Sequence, residues 1–242
     1  GNTWTIGATN TLNGQVFSNF ENLTGDTAVN DTFAIVGAGT VSGTISGGAT
    51  GTDTLDVSAA DGTVTVNLQT GSVAAAAPLV GTLTGIEAYT GDNAADILIG
   101  PDGGATFATT GVNDGTVASI VFTDFANLTG GLAGDIFNLN HDITGQVDGA
   151  GGTDTVNVNA AITGSVAGGA DSDTINLMAN VTGNVDGGTG DDTVNLTNGV
   201  TVDGALSGGA DGASGDTLAA VGSGAGNTWT IGATNTLNGQ VF

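Results

Sequence analysis

The sequence contains no lysine, no arginine and no cysteine in 242 residues, and only one histidine and two prolines. Its 24 acidic residues therefore leave a formal charge of −24 that no internal ion pair can offset. Nucleic acid and anionic membranes are excluded as partners, because both are held by basic surfaces. Self-repulsion of this size opposes compaction and makes cations the natural company of the chain. The absence of cysteine excludes disulfides and thiolate metal sites. No apolar run reaches membrane-spanning length, so no membrane insertion by this segment is expected. Helix is disfavoured as well, since Gly, Thr, Val and Asn interrupt every short apolar run.

What is present is Val, Ile, Leu and Phe among 45 glycines, with a mean hydropathy of +0.21. Disordered acidic chains lack this apolar content, so an all-β fold with a buried core is expected. The seventeen letters "GNTWTIGATNTLNGQVF" at 1–17 return unchanged at 226–242. Gly1 thus recurs as Gly226, and the chain reads as one period (1–225) of a tandem array plus a 17-residue overlap.

A finer repeat runs inside the period. Residues 135–198 read "DIFNLNHDITGQVDGAGGT", "DTVNVNAAITGSVAGGADS", "DTINLMANVTGNVDGGTGD" and "DTVNLTN", so Asp135, Asp154, Asp173 and Asp192 recur with a strict 19-residue period. Each Asp precedes an alternating apolar pair: Phe137/Leu139, Val156/Val158, Ile175/Leu177, Val194/Leu196. Eight residues past each Asp come Ile143, Ile162, Val181 and Val200, and a glycine-rich turn closes the period. Period-two runs separated by such turns are short strands with one inward face. Two strands and a return in each such period make one coil of a parallel β-solenoid, stacked on the coils before and after it. Comparable aspartates at Asp31, Asp53, Asp96 and Asp216 extend the pattern through intervals of 19–24 residues and three longer ones. With each longer interval taken as two coils, the period holds eleven. At roughly 4.8 Å per coil it would extend a rod by about 50 Å.

The whole of 1–242 is thus expected to be one continuous solenoid segment. "VFSNFENLTG" at 16–25 recurs as "VFTDFANLTG" at 121–130, which suggests sub-repeats of about 16–120 and 121–240. The stretches 72–81 and 100–111, which hold Pro78 and Pro101, read as loops bulging from the stack. They are also the places where a cleft could break the repeat.

"GGTGDDTVN" at 187–195 fits the nonapeptide G-G-x-G-x-D-x-U-x letter for letter, and "GGADSDTIN" at 168–176 departs only at Asp171. "GGLAGDIFN" (130–138) and "GAGGTDTVN" (149–157) are near matches. Here the chain resembles the RTX family of calcium-binding repeats, found in secreted bacterial toxins, enzymes and giant surface adhesins. The resemblance covers 130–195 well and 25–57 loosely. It implies a parallel β-roll, folding with Ca²⁺ outside the cell and export by type I secretion. By resemblance the ligands would be the carboxylates of Asp135, Asp154, Asp173 and Asp192, with carbonyls of Gly168 and Gly187. Asp171, Asp191, Asp53 and Asp216 stand in related positions. Calcium takes six to eight oxygens, and a glycine turn can expose carbonyls beside a carboxylate. The alternative is that each Asp only caps its turn through backbone N–H groups. The family carries its nonapeptide on both edges of the roll, whereas the other edge here reads "NHD", "NAA", "MAN" and "TNG", so at most one row of ions follows.

Thr155, Thr174 and Thr193 beside Asn157, Asn176 and Asn195 form outward columns, read as hydrogen-bonding ladders. An ice- or glycan-binding face is the competing reading. The N-x-T sequons at Asn22, Asn30, Asn127, Asn180 and Asn195 reflect the same Asn/Thr chemistry. His141 reads as a solvated turn residue, and Trp4 and Trp229 as one repeat position seen twice that covers a solenoid face or packs between neighbouring coils. Acids that recur in every coil argue for architecture over catalysis, because an active site is normally unique. The expectation is a structural repeat unit of an extracellular adhesin or filament at the cell surface, flanked by further copies of itself and open to lateral association.

Overall fold

The computed structural model describes residues 1–92 and 95–222, with three further short strands between 229 and 241. Every regular element among them is a strand. The fold is the expected all-β, largely parallel β-solenoid, and it falls into two compact units: 1–99 with 114–126, and 100–113 with 127–242. The sub-repeat boundary expected at 120/121 lies inside the second piece of the first unit.

The second unit is the more regular. Thr106–Gly111, Ile136–Leu139, Thr155–Val158, Thr174–Leu177, Thr193–Thr197 and Thr217–Val221 stack in parallel as one sheet. Asn127–Thr129, Gln146–Asp148, Ser165–Ala170, Val185–Gly190 and Leu206–Asp211 form the other. Register is in step with the repeat: Phe137, Val156, Ile175, Val194 and Leu218 align, as do Leu139, Val158, Leu177 and Leu196. Up to Val194 and Leu196 these columns are buried, and Val147, Val166 and Val185 of the opposite sheet are buried with them. Alternation along each strand puts one face inward, so each coil adds one apolar layer on the last. Between them the outward columns carry an amide ladder. Asn157 Nδ2 donates to Asn138 Oδ1 (3.0 Å), Asn176 to Asn157 (2.8 Å) and Asn195 to Asn176 (2.8 Å).

In the first unit one sheet runs Ile120–Thr123, Ala88–Thr90, Thr54–Ala60, Thr32–Gly37 and Thr3–Ile6 in parallel. Its other sheet contains Thr65–Asn67, Pro78–Thr84, Val41–Ser46 and Leu23–Thr24. Here the coils carry antiparallel excursions. Thr3–Ile6 continues into Asn10–Leu12 and Gln15–Phe17, and Thr65–Asn67 into Ser72–Ala74 and Pro78–Thr84. Asp114–Val117 folds back on Ile120–Thr123. The stretch 72–81 is therefore largely strand, and so is the latter half of 100–111. The longer Asp–Asp intervals hold these meanders in place of plain double coils. Two of the turns have left-handed backbone at both central residues, Asn13–Gly14 and Ala118–Ser119, the twist that suits a two-residue hairpin.

Aromatic pairs recur at equivalent levels. Trp4 stacks on Phe33 (5.6 Å between centroids) in the first unit, and Phe107 on Phe137 (4.4 Å) in the second. Trp4 thus covers the end of its own stack, while for Trp229 only the strand position lies within the described residues.

Truncation of a layer should show its contribution. Leu177→Ala, at a fully buried position, is expected to lower the free energy of unfolding in urea by about 2–5 kcal/mol. Met178→Ala, on the exposed side of the same strand end, should change it by less than about 0.5 kcal/mol.

Candidate functional site

The expected ligand aspartates do line up in one column. Each one precedes its strand at the point where the chain turns in from the opposite sheet, and stacking brings successive carboxylates to neighbouring levels. All four of Asp135, Asp154, Asp173 and Asp192 are buried, as are Asp31, Asp53 and Asp96 in the first unit.

Their bonding is directional. The Asp154 N–H donates to Asp173 Oδ1 (2.7 Å), Asp173 N–H to Asp192 Oδ1 (2.8 Å) and Asp192 N–H to Asp216 Oδ1 (2.9 Å). The Asp135 N–H donates in the same way to Asp154 Oδ1. The first unit repeats the relay from Asp31 N–H to Asp53 Oδ1 (2.7 Å) and from Asp53 N–H to Glu87 Oε2 (3.0 Å). Every link joins the backbone of one coil to the side chain of the next, so the column stitches coils together.

The second oxygen faces into the turn. Asp135 Oδ2 accepts from Gly131 N–H (2.6 Å) and Asp96 Oδ2 from Asp92 N–H (3.0 Å). Asp154, Asp173 and Asp192 leave Oδ2 buried with no hydrogen-bond partner. Glycine is required above each carboxylate for lack of room. A methyl carbon built on Gly168 would stand 2.6 Å from Asp173 Oδ2, and one on Gly187 2.6 Å from Asp192 Oδ2. Gly149, Gly130 and Gly208 close over Asp154, Asp135 and Asp216 in the same manner.

Burial without a counter-charge weakens these acids. Desolvation first, then repulsion from neighbouring aspartates, pushes Asp154 and Asp173 up to about 7 against the backbone hydrogen bonds that pull them down. Desolvation likewise raises Asp53, Asp96 and Asp192. Asp191 moves the other way, because its carboxylate accepts from Ser214 N–H (2.8 Å) and Gly215 N–H (2.7 Å). Asp171 is exposed and receives Gly152 N–H at 3.3 Å.

Calcium needs six to eight oxygens at 2.3–2.6 Å. Each level of the column supplies one carboxylate, with Oδ1 already taken by an N–H and Oδ2 lying against a glycine. Asp171 and Asp191 serve other turns. Among the described residues no three acidic, histidine or cysteine side chains converge as a metal cluster. The arrangement as it stands is a hydrogen-bonded staple in which the free Oδ2 of Asp154 and of Asp173 shares its turn with a glycine carbonyl, that of Gly168 and of Gly187.

Sequence reasoning missed Glu87, which takes an aspartate's place through a longer side chain and leaves no motif. It also left Asp31 and Asp96 out of the candidate set. The sequon asparagines are accounted for by capping: Asn22, Asn127 and Asn180 accept N–H groups from Thr44, Gln146 and Thr201 one coil on. His141 is exposed, and its N–H donates to Thr109 Oγ1 (2.8 Å). Comparison with protein-family models, curated protein sequences and solved structures gives no match.

A carboxyl group that holds its proton in the folded chain and loses it in the unfolded one stabilises only at low pH. That contribution is complete below the usual carboxylate range and fades as pH rises to about 7. The melting temperature in cation-poor buffer is therefore expected to fall from pH 5 to pH 7.5. Asp173→Asn keeps the Oδ1 acceptor without the charge, so it should flatten this slope and melt higher than the parent at pH 8. Asp173→Ala orphans the Asp154 N–H and should cost about 1–3 kcal/mol at pH 5. Gly168→Ala should destabilise strongly, whereas Gly103→Ala, where a methyl meets nothing within 4 Å, should be near neutral.

Proposed function

We propose that the chain is a structural repeat unit of an extracellular filament or giant surface adhesin, with copies following one another at the period that separates Gly1 from Gly226. One observation carries this reading. The segment that recurs in sequence also recurs as structure: Trp4 pairs with Leu12 and Thr5 with Thr11, and Trp229 pairs with Leu237 and Thr230 with Thr236. A meander that returns with the same pairing 225 residues on supports a series of repeated coils. The relay of N–H groups to carboxylates supports it, since each coil leaves a donor for the next. Recurrence of the acids level by level favours a load-bearing role over catalysis. The outward asparagines satisfy one another, which favours stiffening over recognition of ice or glycan.

Calcium enters this reading through net charge rather than through a built shell. Divalent cations would gather on a chain of charge −24 and relieve its self-repulsion. Melting temperatures in Ca²⁺ and in Mg²⁺ at equal concentration should rise together above the value in EGTA. A large shift with Ca²⁺ alone would instead point to a dedicated site of the RTX kind. For the functional reading itself, antibody raised against this segment should label intact cells and detect a native polypeptide several periods long. An intracellular antigen of a single period would overturn it.

A further inference from the structure

The motif at 16–25 and its relative at 121–130 stand in different surroundings. In the second, Ile120–Thr123 lies in parallel beside Ala88–Thr90, with Val121 opposite Ala88, Phe122 opposite Tyr89 and Thr123 opposite Thr90. The Gly91 N–H continues the pairing to the Thr123 carbonyl (2.9 Å), and Phe125 is 0% exposed. In the first, among the described residues, Gln15–Phe17 pairs only with Asn10–Leu12 and its far edge ends the sheet. Phe20, the counterpart of Phe125, is 65% exposed. Beside it a cavity of about 220 Å³ opens among Trp4, Leu12, Phe17, Phe20 and Leu23. One pattern of side chains is thus seen once under a coil and once bare.

The last strand of the second unit offers the complementary edge. Among the described residues Thr217–Val221 pairs with Thr193–Thr197 alone. A hollow of about 500 Å³ over Val194, Leu206, Asp216 and Leu218 marks the end of that core. We propose that the Val16–Phe17–Phe20–Leu23 face receives Thr217–Val221 of a second copy of this repeat, added in parallel to Gln15–Phe17. The inward partner of Phe122 is Tyr89, and the inward residue of the end strand is Leu218. Leu218 therefore comes opposite Phe17, Thr217 opposite Val16 and Ala219 opposite Ser18. Such an edge-to-edge contact joins two different surfaces and does not close on itself, so it propagates. The inference rests on the tandem reading above and names the joint between copies.

The chain has no cysteine of its own, so single-cysteine variants report the joint. Val16 is 58% exposed and Thr217 is exposed. In the docked pair their α-carbons would stand about 4.8 Å apart. Val16→Cys and Thr217→Cys variants of this 242-residue chain, mixed and treated with a short bis-maleimide, should cross-link several-fold more than either variant alone. Adding Phe20→Asp to the Val16→Cys chain should abolish the product. Because Phe20 is already exposed, its far-UV circular dichroism should stay that of the parent. Sedimentation of the cysteine-free chain should show association that rises with concentration and is lost in Phe20→Asp. A mixture that cross-links no better than its components would overturn the joint, and so would association indifferent to Phe20→Asp. If that happens while the native antigen proves long and surface-exposed, the repeat reading stands and only the joint fails.

Discussion

The interaction on which the rest depends is the hydrogen bond from the backbone N–H at one column position to the carboxylate at the same position one coil on. It is made where the chain turns from one sheet into the other, at the point where backbone groups leave the ladder. A buried N–H without a partner there would cost about as much as a lost hydrogen bond. The carboxylate supplies an acceptor that water cannot reach. It does so only because a glycine lets the turn close over it. Gly168 and Asp173 are in this sense one device, as are Gly187 and Asp192. The strict spacing of the aspartates follows, because a residue gained or lost would move donor and acceptor to different levels.

Once this staple fixes the level of each coil, the remaining columns come into register without further specification. Phe137, Val156, Ile175 and Val194 stack inward, and Asn138, Asn157, Asn176 and Asn195 stack outward. The amide ladder can form only if every asparagine sits directly above the last. It therefore opposes slippage of the inner column, and a one-residue slip would also turn the apolar set out to solvent. Specificity comes from two columns, and burial supplies most of the driving force.

The regular half of the fold was legible in the sequence because its coils repeat without insertion. The first unit was less so, for local reasons. Asn13–Gly14 is the dipeptide that a two-residue hairpin favours, and it stood in plain view between "TNTL" and "QVF". The Ala118–Ser119 turn uses two residues that seldom adopt left-handed backbone, so nothing in the letters marked it. Pro78 suggested a loop but begins an antiparallel strand, a place proline tolerates. In the candidate site the aspartates themselves were legible and their bonding was not. A G-G-x-G-x-D turn can put its carboxylate toward an ion or toward the N–H of the preceding coil. Only the level at which the carboxylate meets the stack separates the two.

The missing basic residues acquire a reason in this light. A lysine or arginine near the column would pair with the carboxylates and draw them out of the turns, competing with the backbone N–H groups for the same oxygens. A chain that keeps its acids and omits every base leaves the inner carboxylates to the backbone N–H groups of the preceding coil and of their own turn. The consequence is a stack held by hydrogen-bonded carboxyl groups inside and repelled by ionised ones outside. Repulsion of that kind acts between copies as well as within them, and it weakens as cations gather. The same chemistry that makes a single copy acidic thus sets the conditions under which edges such as Gln15–Phe17 would meet a second copy.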